Sequence, residues 1–174
     1  FFLPEDLVDW IVTNNGFTIE NKRHFKEDHS IFYSCIKSTK TNIVDPWLIN
    51  YGLEAYNVNR KLFLDYINHH TLMVQELNQK ISELESSSKL FLFGAHIFSQ
   101  YLLFNGLSSS RIDCILDNSK VKNSKRLYGT SLKVASPYIL KDIDQPVVIL
   151  KAGPYNQEIS NDIKNNINPN TTFI

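Results

Sequence analysis

Three short segments of this sequence carry residue types suited to phosphate or ribose recognition, and each lies after an apolar run. Gly94-Ala95-His96 follows KLFLF, Asp117-Asn118-Ser119 follows RIDCIL, and Gly153-Pro154-Tyr155-Asn156 comes shortly after PVVIL. Ligands of open α/β sheets bind outside the carboxyl ends of the strands, near helix N-termini, where backbone amides and the helix dipole favour anions. A turn at Gly94 could set its amides against a phosphate, although the full G-x-G-x-x-G fingerprint is absent. Asp117 stands where a ribose-binding acid sits in nucleotide-binding folds, or else caps a helix or loop. The candidate substrate-binding residues are therefore Gly94, Ala95, His96, Asp117, Asn118, Tyr155 and Asn156.

His96 falls at a predicted helix start, where it either meets a ligand in the mouth of the cleft or serves as a cap. Lys120, Lys122, Lys125 and Arg126 form a basic loop beside it, able to hold a diphosphate or simply to be solvated. His69 and His70 are neighbours on a predicted helix, about 100° apart around its axis, which makes a shared metal site a poor prospect. The sequence has no zinc-ligand spacing, no G-x-S-x-G and no phosphate-binding loop of the G-x-x-x-x-G-K type, so no metal is expected and no catalytic residue is assigned.

The elements that position these segments follow from apolar patterning. Lys89–Phe93, Arg111–Leu116 and Pro146–Leu150 read as strands buried on both faces. Helices are predicted over Ile97–Phe104, closed by Asn105-Gly106, and over Gln157–Asn166; Ser136-Pro137 opens a shorter one, with serine as cap and proline in the first turn. Ser131–Ala135 is extended, and Thr171–Ile174 is a last short strand. Strands alternating with helices at this spacing predict a Rossmann-like parallel sheet over residues 89–174, within an α/β fold.

Upstream, Leu3-Pro4-Glu5-Asp6 starts a helix that Asn15-Gly16 ends. Phe17–Ile19 and His29–Ile36 read as strands, with a polar turn from Glu20 to Asp28 between them. That unit is too small to bury both of its faces, so residues 1–44 are expected to be the edge of something larger. Asp45-Pro46-Trp47 opens a linker, 45–88, that contains a long helix from Lys61 to Glu85. Phe63, Ile67, His70, Val74, Leu77, Ile81 and Leu84 share one stripe of it, the pattern of a helix packed along neighbours or of a short dimer seam.

Eighteen basic residues balance eighteen acidic ones, which leaves no electrostatic footprint for nucleic acid or an anionic membrane. Cys35 and Cys114 lie in apolar runs and read as core thiols of a reducing compartment, so a cytoplasmic protein is expected. No apolar stretch is long enough to span a bilayer and no signal peptide is visible. Phe1-Phe2-Leu3 is not a natural start, and Met73 is the only methionine, so further residues are expected before Phe1.

In this setting the chain resembles the sugar C-methyltransferase family, which uses S-adenosylmethionine to methylate nucleotide-linked deoxyketosugars. The resemblance is carried by Phe93-Gly94-Ala95, Ile115-Leu116-Asp117-Asn118-Ser119, Tyr128-Gly129-Thr130, Ser136-Pro137, and Ala152 through Ile159, in order and at similar spacing. Phe2–Leu7 and Asn15-Gly16-Phe17 look like the last helix and strand entry of that family's methyltransferase core, and His29–Tyr33 falls where it carries a His-Gly-Gly-Ser-Leu-Arg strand. Asp28-His29 replaces the glycine pair, and no arginine follows Ile31. By resemblance, the donor-binding motif and the Tyr-x-Glu-His catalytic segment would lie before Phe1, S-adenosylmethionine would be a cofactor of the longer protein, and the C-terminal domain would close over the sugar nucleotide. The resemblance thus implies an edge of a methyltransferase core, a long helix and a Rossmann-like domain. Two other readings stay open: a nucleotide-binding or homodimerising module without catalysis, and a homologue that kept the fold and lost the chemistry.

Overall fold

The structure is a computed structural model that describes residues 4–26, 29–38 and 53–174. Asp28 and the Asp45-Pro46-Trp47 segment fall outside these residues. Two compact units divide between Leu64 and Asp65, inside the long helix.

In the first unit, Pro4 precedes helix α1 (Glu5–Asn14), with Glu5 and Asp6 in its first turn as the dipole favours. Gly16, at φ +83°, turns the chain into β1 (Phe17–Phe25). β1 pairs antiparallel with β2 (Ser30–Lys37), and its register shifts between Ile19 and Asn21. The strand therefore runs on through Glu20–Phe25, which the sequence suggests as a turn. A two-stranded ribbon leaves much of its surface in water, so polar residues continue the ladder without having to be buried. Lys22 ties this hairpin to α1, donating to Asp9 Oδ2 at 2.8 Å and to Glu5 Oε1. No residue of α1 is buried.

The second unit holds the core. Helix α2 (Leu53–Glu83) begins eight residues ahead of its predicted start at Lys61. The predicted stripe on it divides: Phe63 is 63% exposed, whereas His70, Val74, Leu77 and Ile81 are buried. Five parallel strands follow: β3 (Leu90–Phe93), β4 (Ile112–Leu116), β5 (Val134–Ala135), β6 (Val147–Ile149) and β7 (Thr172–Phe173). Their order is β5-β4-β3-β6-β7, with β3 in the centre. Alternation along β3 sorts the core. Leu90 and Leu92 face Val74, Leu77 and Ile81 of α2 and Leu102 of α3 (Ile97–Phe104). Phe91 and Phe93 face Leu140 and Ile163, the latter on α4 (Asn156–Asn166). Helical elements thus cover both faces of the sheet, which is why its central strands read as continuous apolar runs. Ser136 caps the 3-10 helix Pro137–Asp142, its Oγ accepting from the Tyr138 amide.

Asn168, only 5% exposed, closes the far side of the sheet. Its Nδ2 donates to the carbonyls of Leu140 and Ile143 at 2.7 and 2.8 Å, and its Oδ1 accepts from the Asn170 amide. Asn168→Ala is expected to lower unfolding stability by about 2 kcal/mol, because buried carbonyls lose their donor. Denaturant unfolding followed by circular dichroism checks this.

No helix among the described residues is long and apolar enough to cross a membrane. None of the described residues forms a group of three or more His, Cys, Asp or Glu suited to a metal. The His70 Nδ1 is bonded to the Tyr66 carbonyl, and its ring stands at 88° to that of His69, so the histidine pair converges on no common point.

Candidate functional site

The path of the chain fixes where a crevice can open. From β3 the chain passes to β4 and β5 on one side of the sheet, and then crosses to β6 and β7 on the other. Loops leaving the carboxyl ends of β3 and β6 therefore head toward opposite faces, the arrangement beside which ligands of open α/β sheets bind. Gly94, Ala95 and His96 form one lip, backed by Asp117 and Asn118 at the end of β4. Tyr155 and Asn156 follow β6 on the other lip. All seven residues singled out in the sequence thus lie at the same edge of the sheet.

The first lip is held tightly. The Gly94 amide donates to the Leu116 carbonyl at 2.7 Å, and the buried Ser99 hydroxyl donates to the Gly94 carbonyl. Gly94 has φ +100°, and a Cβ there would stand 2.3 Å from His96 Nε2. The imidazole is therefore folded back over the glycine. His96 also caps α3, its Nδ1 accepting from the Phe98 amide at 3.1 Å. That bond requires a bare Nδ1, hence a ring with its proton on Nε2. Burial, and then the nearby Lys122 ammonium, lower the imidazole pKa against the opposing pull of Asp117.

Asp117 is the brace between the strand ends. Its Oδ2 accepts from the Ala95 amide at 2.8 Å and from Lys122 Nζ at 2.9 Å, while its Oδ1 accepts from the Ser119 amide at 2.9 Å. Burial opposes ionisation of this carboxyl, but the Lys122 bond and the Ser119 and Ala95 amides together outweigh it and hold the pKa below its ordinary value. Since the folded pKa is the lower one, the stabilisation is present above the unfolded value and is lost as pH falls through the folded one. Asp117→Asn is accordingly expected to cost about 1–2 kcal/mol at neutral pH, with the gap to the parent closing in acid. Urea midpoints measured across that pH range check the trend.

On the second lip, Asn156 Oδ1 accepts from the Ala152 amide at 2.7 Å, so this side chain shapes the turn after β6. Tyr155 ends a 3-10 turn, Gly153–Tyr155, and is partly buried. Asn118 is exposed. Sequence reasoning assigned Lys122 only to a basic loop; its pairing with Asp117 depends on how that loop closes. Ser99, the third residue of α3, is marked in the sequence only as a serine in an apolar helix start close to a glycine.

No nucleophile paired with a base is found among these seven residues. His96 Nδ1 is committed to a cap, and Asp117 accepts from two amides and an ammonium. No family model, no curated protein and no solved structure matches the chain.

Proposed function

We propose that this chain is the C-terminal part of an S-adenosylmethionine-dependent methyltransferase acting on a nucleotide-linked sugar or a related glycan precursor. In this reading the sheet is a Rossmann-like domain whose crevice forms one wall of the substrate cleft. The observation that carries it is the reversal of strand order between β3 and β6, with candidate residues on both lips. The motif series from Phe93-Gly94-Ala95 to Ala152–Ile159 supplies the family resemblance.

In this reading the methyl donor is held elsewhere than in this crevice, whose residues serve the sugar nucleotide. Methylation beside a ketone needs a base to form the enolate and a donor held in line, and neither is assigned here. The chain by itself should then neither bind S-adenosylmethionine nor transfer its methyl group. Mixing it with the donor and thymidine- or uridine-diphosphate deoxyketosugars tests this; methyl transfer, or tight donor binding by calorimetry, would contradict it.

A non-catalytic homodimerising module is the second reading. It is favoured by the exposed apolar side chains in the N-terminal half of α2, among them Val58, Leu62 and Phe63. The buried positions Val74, Leu77 and Ile81 are already used within the chain, so a seam would have to lie on other residues. Light scattering separates the two: a monomer at high concentration removes the dimer reading. A non-catalytic nucleotide module would show saturable binding of uridine or thymidine diphosphate that weakens in Asp117→Ala and in the exposed-site variant Asn118→Ala.

A further inference from the structure

A second concavity lies away from this crevice, between the C-terminal half of α3 and the loop that precedes β5. It encloses about 420 Å³, within the span of ligand clefts. Its walls include Gln100, Phe104, Ser109, Tyr128, Thr130 and Ser131, and no charged side chain lines it.

Two aromatic rings stand at this cleft almost wholly in water: Phe104 is 89% exposed and Tyr128 is 87% exposed. Neither contributes to the sheet core. The loop that presents Tyr128 is nonetheless rigidly built. Arg126 and Lys133 form an antiparallel bridge, and Leu127 is buried beneath it. The Leu127 amide donates to the Leu132 carbonyl at 3.0 Å, and the Thr130 hydroxyl donates to the Leu127 carbonyl at 3.0 Å. Gln100 Nε2 fastens the loop to α3 by donating to the Tyr128 carbonyl at 3.2 Å. The Gln100 carbonyl oxygen and the hydroxyls of Ser109 and Ser131 have no hydrogen-bond partner among the described residues.

We infer that this cleft binds a neutral saccharide. The wall of this cleft carries no charge to compensate a phosphate, carboxylate or ammonium group on desolvation, and a cation, Arg126, lines the adjoining hollow across the Tyr128–Ser131 loop. Exposed aromatic faces beside hydroxyl and amide groups match a ring that carries C–H bonds on one face and hydroxyls around its rim. The Tyr128 loop is fixed before the ligand arrives, so little ordering accompanies binding. This goes beyond the proposed substrate crevice and does not depend on it, because the two sites share no residue.

The test is a ¹⁵N–¹H correlation titration of the whole chain with methyl glycosides of glucose, galactose, mannose, rhamnose and fucose. At least one is expected to move the Gln100 side-chain amide and the Gly129–Leu132 backbone amides saturably, in the millimolar range, leaving Gly94–His96 and Asp117 unmoved. Phe104→Ala and Tyr128→Ala alter exposed side chains, so both should fold, and each should weaken binding about five- to tenfold. Glucose 1-phosphate should bind no more tightly than methyl glucoside. The inference is overturned if no glycoside shifts these signals, if the two variants bind as the parent does, or if uridine or the phosphorylated sugar is preferred at the same signals. A shift confined to Gly94–His96 and Asp117 would speak for the substrate crevice and against this cleft.

Discussion

Gly94→Ala is expected to lower the stability of the sheet unit by about 2–4 kcal/mol, summing backbone strain and a lost cap. At φ +100° an L side chain is strained whatever space surrounds it. The new Cβ would also stand 2.3 Å from His96 Nε2, so the imidazole must swing away and release the Phe98 amide. The two contributions can be separated. His96→Ala alone removes the cap without touching the glycine, and should cost about 1 kcal/mol. In the double variant the ring is already gone, so its cost should fall short of the sum of the singles by roughly the cap contribution. Full additivity would mean that the imidazole does not lie over Gly94. Trp10 and Trp47 both precede the sheet in the chain, so amide exchange at β3 and β4 is the suitable readout rather than tryptophan fluorescence.

Leu92→Ala should have an effect of similar or larger size, about 3–4 kcal/mol. Leu92 is 1% exposed in the central strand, registered against Ile115 of β4 and Ile149 of β6. Its loss opens a cavity beneath α2 and α3, and flanking strands fixed by their own hydrogen bonds cannot close over it. Leu72→Ala is the control on the long helix. That leucine is 58% exposed, and its truncation should stay within about 0.5 kcal/mol. Comparable costs at the two positions would mean that the parallel sheet is not the centre of the core.

The parallel sheet was readable because its central strands are covered on both faces. LFLF, IDCIL and VVI stand out as apolar runs between turn residues, and the resulting five-stranded parallel sheet accompanies the long helix and a small antiparallel hairpin. The edge strands β5 and β7 have only two residues each and show as extended segments at most. β1 reads short in the sequence because ENKRHF lacks period-two apolarity; its pairing comes from β2, not from a buried face. The start of α2 reads late in the sequence because YNVN mixes weak helix formers. In the crevice, glycine and aspartate could be picked out because their types suit a turn and a strand end. Their interactions could not, since the Asp117–Lys122 pair and the fold of His96 over Gly94 depend on loop closure in three dimensions. Asn168 was invisible for the same reason: its two carbonyl partners lie 28 and 25 residues away.

The proposed function requires that the two lips beside the strand-order reversal form one surface for a nucleotide-linked sugar. It is tested most directly by ¹⁵N–¹H spectra of the chain titrated with thymidine- and uridine-diphosphate sugars. Saturable shifts are expected on both lips, at Gly94–His96 and Asp117–Asn118 together with Tyr155–Asn156. Shifts restricted to one lip, or a spectrum that no sugar nucleotide perturbs at these positions, would contradict it.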